Sequence, residues 1–284
     1  MNALIDALWL YPIKGCRGFS VPTATLAATG LEVKGIGDRE WVVVDDQGEF
    51  LSQRELPKMA LIETRLTADS LRLKAPGMLQ LDVPFESEGD VLKVRVWNDE
   101  VAAVTQGEIA DAWFSQFLGL ACRLMRFDPD ARRISNHKYT GVVSAPYKFA
   151  DAFSLLVCST ASLADLNSRL VAKGHAEISI ERFRPNIVLR GVEAFDEDYI
   201  ENLTIGGARL RVVKPCVRCT VPNVNPTSGE AGVEPGDTLA VYRNDAQAGG
   251  ITFGVNAIVE SGAGAELSAG DTVEVSLRFK LTSG

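Results

Sequence analysis

Through residues 1–105, apolar and polar positions alternate in short runs, and turn residues interrupt them every eight to twelve positions or so, a pattern of successive strands. Trp41 to Val44 is followed by Asp45-Asp46-Gln47-Gly48 and then Phe50-Leu51; Leu71 and Leu73 follow an Asp69-Ser70 turn; Leu79, Leu81 and Val83 alternate; Lys93 to Trp97 runs into a turn at Asn98-Asp99. The period then lengthens. Gln106 to Leu118 places Ile109, Trp113 and Phe117 on one helical face, with Thr105 and Glu108 at capping-box spacing and Gly119 as the stop. That aromatic stripe reads as core packing.

From Arg123 to Lys148 the periodicity weakens, and Arg126, Arg132, Arg133, His137, Lys138 and Lys148 fall among Pro, Asn, Ser and Gly. A domain junction is placed here, giving units 1–122 and 123–284. The segment reads either as a functional loop bringing cations over a pocket or as a solvated basic linker. Beyond it, Asp151 to Val157 predicts a strand, and Ser159 to Lys173 a helix carrying Leu163, Leu166, Leu170 and Val171. Ile187 to Leu189 predicts a buried strand. Leu203 to Ile205, Gly206-Gly207 and Ala208 to Val213 form a hairpin pattern. Strands are expected near Leu239 to Arg243, Phe253 to Val259 and Val273 to Phe279. The fold class is therefore a β-rich α+β protein with few helices.

Composition narrows the function. Among 284 residues, a formal net charge of −8 argues against a sequence-independent grip on nucleic acid. Ala7-Leu8-Trp9-Leu10-Tyr11 is far shorter than the ~18 to 20 residues of a membrane span, and no secretory pattern precedes it, so no membrane contact and a cytoplasmic location are expected. Five cysteines, an odd number, do not form a disulfide scaffold; Cys122 reads as a small buried hydrophobe, and Cys16 and Cys158 as core or loop residues. The one Cys-x-x-Cys lacks a second ligand pair at zinc spacing.

That pair lies in Lys214-Pro215-Cys216-Val217-Arg218-Cys219. Neighbouring positive charge favours a thiolate, and thiolates suit soft or high-valent metals. Arg182-Phe183-Arg184-Pro185-Asn186 adds guanidiniums, whose fork matches phosphate. Tyr11-Pro12-Ile13-Lys14-Gly15-Cys16-Arg17-Gly18 reads as a loop with exposed cations, either an anion-binding loop or an ordinary solvated turn. Arg39 carries the same two readings. Together these residues fit a phosphorylated, metal-bearing cofactor, although inert thiols in a barrel explain the spacing alone.

With Leu10-Tyr11-Pro12-Ile13-Lys14, Asp38-Arg39, Ala161 to Asn167, Phe183-Arg184-Pro185-Asn186 and Lys214 to Cys219 in that order, the chain resembles the MOSC family, in the subgroup of the mitochondrial amidoxime-reducing component and its bacterial relatives. The resemblance implies a MOSC β-barrel domain packed with a β-rich MOSC N-terminal domain, with molybdenum cofactor between them. It implies Cys219 as the molybdenum ligand and Asp151 as an acidic residue near the metal. Lys14, Gly15 and Arg39 match cofactor-contacting positions of the first unit, and Ala152, Phe153, Arg184, Asn186, Val217 and Arg218 those of the second. Gly15, Ala152 and Phe153 stand where relatives often carry hydroxyl residues.

The implied activity is molybdenum-dependent reduction of N-hydroxylated small molecules, hydroxylamines and amidoximes, with Asp151 relaying protons. Some bacterial relatives append a plant-type ferredoxin domain; here a separate redox protein is expected as electron donor. The resemblance also implies a family-level association with pyridoxal phosphate. The alternative reading is a sulfur or cofactor carrier with a persulfide on Cys219 and Cys216 as resolving thiol.

Overall fold

Along the first strand, Asn2–Leu10, burial alternates through Ala3 and Ile5 and resumes at Leu8 and Leu10. A register shift between Ile5 and Ala7 resets the phase, as a bulge does. The computed structural model, which describes residues 1–86 and 88–278, seats this strand in a closed seven-stranded barrel. The order around it is Leu155–Ser159, Ile187–Arg190, Asn2–Leu10, Thr272–Leu277, Ile200–Ile205, Ala208–Val217 and Gly250–Ser261, which pairs back with Leu155–Ser159. Closure removes the open edges that a sheet of this size would leave unpaired. Inward side chains such as Ile5, Leu8, Val157, Leu189, Leu210 and Val255 fill the interior. Each contributes about 1.5–3 kcal/mol by leaving water.

A four-stranded antiparallel sheet, Val91–Val96, Asp99–Thr105, Cys122–Phe127 and Trp41–Asp45, forms the second body. Against it pack the helix Glu108–Leu118 and the three-stranded sheet Glu63–Leu66, Ser70–Lys74, Leu81–Pro84. Strand pairings cross residue 122 in the sequence: Asn2–Leu10 pairs with Ile187–Arg190 and Thr272–Leu277, Thr23–Ala27 with Glu266–Ser268, and Cys122–Phe127 with Trp41–Asp45 and Asp99–Thr105. The two bodies are therefore stitched by strands as well as by side chains.

Several local expectations change. Leu239 to Tyr242 lies in the helix Gly236–Tyr242, with Arg243 as its C-cap; Glu234 Oε2 accepts the Thr238 N–H at its start, and Leu239 and Tyr242 face the core while Val241 is exposed. The alternation that resembled a strand is one helical turn of apolar spacing. In the helix Glu108–Leu118, Thr105 makes no cap; it ends a strand, its hydroxyl accepts the Asp90 N–H, and Gly107 is the N-cap. The inward face is Ala110, Trp113, Phe114 and Leu118, so Ile109 points outward, as Val171 does in Thr160–Ala172.

The strand expected from Asp151 begins only at Leu155. Side chains hold the preceding bends instead: Arg133 Nη1 donates to Ala150 O and Ser135 Oγ donates to Ala152 O. The turn after Val96 is Trp97-Asn98, since Val96 pairs with Asp99. The segment from Arg123 to Lys148 divides: Arg126, Arg133 and Lys148 are held in ion pairs, whereas Arg132, His137 and Lys138 are exposed, as in a solvated stretch. Buried Arg133 binds Asp99, while Arg126 and Lys148 converge on buried Glu40. Phe279, expected to end the last strand, lies outside the described residues.

Candidate functional site

The chain leaves the barrel at Leu10 and crosses at once to the other body. Lys14 N donates to Trp41 O and Trp41 N donates to Pro12 O, so Lys14 sits at the seam. It is buried, which corrects the expectation of an exposed cation. The Tyr11 N–H donates to Asp38 Oδ1, and Arg39 N–H donates to Tyr11 O. These bonds fold Arg39 back over the Tyr11 ring, 4.6 Å from its centroid, while Arg184 lies 4.3 Å from the same ring.

Two guanidiniums thus share one aromatic ring across the seam. Burial, with repulsion from Arg39 second, lowers the Arg184 guanidinium to about 10. The Arg184 backbone is left-handed at φ 59°, and its carbonyl accepts from Arg39 Nη2 at 3.0 Å. Asn186, 1 % exposed, fixes this arrangement: its Oδ1 accepts from Leu156 N at 3.1 Å and from Arg39 Nη1 at 3.3 Å.

A cavity of about 260 Å³ opens at this seam. All eleven residues anticipated for the site line it. Lys14, Gly15 and Arg39 come from the first body and Asp151, Ala152 and Phe153 from the bends before the barrel strand. Arg184, Asn186, Val217, Arg218 and Cys219 complete the opposite wall. The backbone at Gly15 is left-handed at φ +84°, and an added Cβ would lie 2.9 Å from Met59 Cε, so glycine is the residue this wall accommodates.

Asp151 pairs with Lys14 through Oδ1, which also accepts from Trp97 Nε1 at 2.9 Å. Desolvation pushes its carboxyl upward, but the Lys14 ammonium and the two hydrogen bonds outweigh it and hold the carboxyl well below the ordinary range. Burial lowers Lys14, and Asp151 opposes that shift.

The thiols separate by environment. Burial raises Cys16 to about 12 and pushes Cys122 and Cys158 upward as well. Cys216 is half-buried and Cys219 exposed, both at the cavity. Arg218 turns to the first of them, Nη1 lying 3.1 Å from Cys216 Sγ, while Nη2 donates to Phe183 O at 2.9 Å. The Ala152 carbonyl accepts the Ser135 hydroxyl, which fixes its direction; Phe153 packs edge-on against Tyr139.

The wall also contains Phe50, Arg54, Trp97 and Lys214, which the sequence reading did not assign to the site. From sequence, Lys214 reads only as a charge beside the thiols. Trp97 carries no signal of its own, since the pattern puts it at the end of a strand and only the Val96–Asp99 pairing places it in the turn. Among the described residues, the lining holds six cations (Lys14, Arg39, Arg54, Arg184, Lys214 and Arg218) and one carboxylate, Asp151. No group of three His, Cys, Asp or Glu side chains able to hold a metal ion occurs among them. A metal here has to bring ligands of its own.

Residues 2–121 match the model of the MOSC N-terminal beta barrel domain, and residues 145–274 that of the MOSC domain. The chain belongs to the MOSC family. It is 35 % identical over 245 residues to mitochondrial amidoxime reducing component 2 of Bos taurus, covering 84 % of this chain and 72 % of that one. Against mitochondrial amidoxime-reducing component 1 of Homo sapiens the identity is likewise 35 %, with the same coverage. A molybdenum cofactor sulfurase of Solanum lycopersicum is 32 % identical over 88 % of this chain and 32 % of its own length. As a MOSC protein the chain is strand-rich and barrel-based, as expected, and no helix among its described residues is long and apolar enough to cross a membrane.

Proposed function

We propose that this MOSC protein is a molybdenum-cofactor oxidoreductase that reduces N-hydroxylated compounds, hydroxylamines and amidoximes, with electrons from a separate redox protein. The observation that carries the reading is the exposed Cys219 thiol on the rim of a cavity lined by six cations and one carboxylate. The residues fit such a cofactor. A cationic surplus in a partly buried cleft demands a polyanion, and Arg184 Nη2 and Arg218 Nε are buried without a hydrogen-bond partner. One thiol without further protein ligands matches a metal carried on its own scaffold.

In this reading Cys219 ligates the metal, and Arg39, Arg184, Arg218 and Lys14 hold the phosphate and the acceptor atoms of the pterin. Asn186 positions Arg39. Ala152, Phe153, Val217 and Gly15 form the wall, their contribution being shape and main chain. When bound, the cofactor supplies two-electron oxygen-atom chemistry that side chains cannot. The net reaction takes the N-hydroxylated compound, two electrons and two protons to the parent amine or amidine and water. Asp151, paired with Lys14, is ionised at neutral pH, so its role in this reading is to hold Lys14 charged and in place rather than to deliver protons.

The test is metal analysis of purified protein, followed by reduction of an aryl amidoxime with an artificial donor. Cys219→Ser is expected to abolish turnover; full turnover in cofactor-loaded Cys219→Ala would overturn the reading. A second reading, a persulfide carrier, draws on the Arg218–Cys216 contact and the similarity to the tomato sulfurase. It predicts a mass increase of one sulfur on Cys219 without metal.

A further inference from the structure

Trp97 occupies a backbone position that a tryptophan should avoid. The strands Val91–Val96 and Asp99–Thr105 pair Val96 directly with Asp99, leaving a two-residue loop, Trp97-Asn98. Within it Trp97 has φ +60°. Positive φ at the first central residue of such a loop is where glycine is preferred, and a bulky residue there is an outlier that surrounding structure must impose. The side chain does not repay this by burial, since it remains 43 % exposed.

Instead the ring is held from several sides at the cavity wall. Its indole N–H donates to Asp151 Oδ1 at 2.9 Å; Phe50 packs against it at a tilt, with centroids 5.0 Å apart; and the Arg54 guanidinium lies 4.3 Å from its centroid. A strained, braced and half-exposed indole in a cavity wall is a surface kept for a ligand's π-face.

We infer that Trp97 is the stacking platform for substrate, and that the preferred substrates are planar, conjugated and neutral N-hydroxylated compounds. This rests on the reductase reading above and names its substrate class. Neutrality follows from the company the ring keeps. The Lys14–Asp151 pair beside the ring sums to no net charge, which leaves Arg54 as the charge over it, so a protonated substrate meets like charge, whereas aryl amidoximes and aryl hydroxylamines are uncharged at neutral pH. An amidine product is protonated, and the same guanidinium favours its departure.

The test compares cofactor-loaded wild type with Trp97→Gly and Trp97→Phe. Glycine is the residue the turn prefers, so the first variant keeps the fold; the second keeps an aromatic face and loses the N–H. For an aryl amidoxime, Trp97→Gly should raise KM about tenfold with kcat nearly unchanged, Trp97→Phe should stay close to wild type, and hydroxylamine itself should be reduced equally by all three. Equal losses for aryl amidoxime and hydroxylamine would overturn the platform in favour of a structural role through Asp151; unchanged KM would overturn it outright. Benzamide, planar and lacking an N–O bond, serves as a probe independent of turnover. It should quench a component of the indole fluorescence in wild type that is missing in Trp97→Gly, and no quenching in wild type sinks the platform. If wild type reduces no N-hydroxylated compound, the reductase reading falls while the benzamide titration still decides for or against the platform.

Discussion

Arg218 Nη1 lies 3.1 Å from Cys216 Sγ, so the guanidinium between the two thiols is committed to the half-buried one and leaves Cys219 open at the rim. The pair is unequal by construction. Alkylation with iodoacetamide followed by mass spectrometry should therefore modify Cys219 first and Cys216 later. Cys16 and Cys158, buried and with raised thiols, should react only on unfolding. Modification of Cys216 ahead of Cys219 would contradict the arrangement.

The Lys14–Asp151 pair sets a second expectation, with a defined pH window. The folded carboxyl is depressed, so its contribution to stability is fully present above the unfolded value of about 3.9 and is lost as pH falls through the lower folded value. Because 71 % of the Asp151 side chain is exposed, solvent screening reduces the pair to about 1 kcal/mol. Asp151→Asn should lower the melting temperature by about 2–4 °C at pH 7. That difference should shrink below about pH 4. The pH–rate profile should keep its limbs in the variant; loss of a limb between pH 5 and 8 would restore Asp151 as a proton carrier.

Gly18 fixes Tyr11, and through it the two guanidiniums. A Cβ there would lie 2.3 Å from Tyr11 Cδ1 and 2.5 Å from Leu10 O. The carbonyl cannot swing away without disturbing the barrel strand, so Gly18→Ala should cost about 1–3 kcal/mol or more, as overpacking does. Displacing the ring also loosens Arg39 and Arg184. Thermal melting and titration with inorganic pyrophosphate should both register the change, and a variant as stable as wild type would refute the contact.

What the residues alone disclosed, and what they did not, follows from the range of each interaction. The hairpin at Gly206-Gly207 was legible because turn chemistry and alternation are local. The helix Gly236–Tyr242 was not, because its seven residues offer too few turns for period 3.6 to separate from alternation. Within the site, Lys14 and Asp151 touch across 137 positions of sequence, and only the resemblance to MOSC proteins placed them together. Burial of Lys14 had no local signal at all, since it depends on the Trp41 strand docking beside Pro12. Arg126 and Lys148 are likewise drawn inward by Glu40, a distant partner that no local pattern reveals, while Arg132, His137 and Lys138 of the same stretch stay exposed.

Asn186 offers the sharpest separation between holding the site together and charging it. Its Oδ1 serves Leu156 N and Arg39 Nη1, and its Nδ2 reaches Trp9 O at 3.4 Å. Asn186→Ala leaves the buried Leu156 N–H without its acceptor, a loss of about 1–3 kcal/mol, and frees one side of Arg39, which keeps Asp38 and the Arg184 carbonyl. Asn186→Asp keeps both acceptor roles while introducing a carboxylate beside Arg39, so it should fold more stably than the alanine variant. Its cationic surplus is smaller by one charge, so pyrophosphate should bind it several-fold more weakly than wild type. Equal affinity for pyrophosphate in wild type and Asn186→Asp would show that Arg39 does not face the anion.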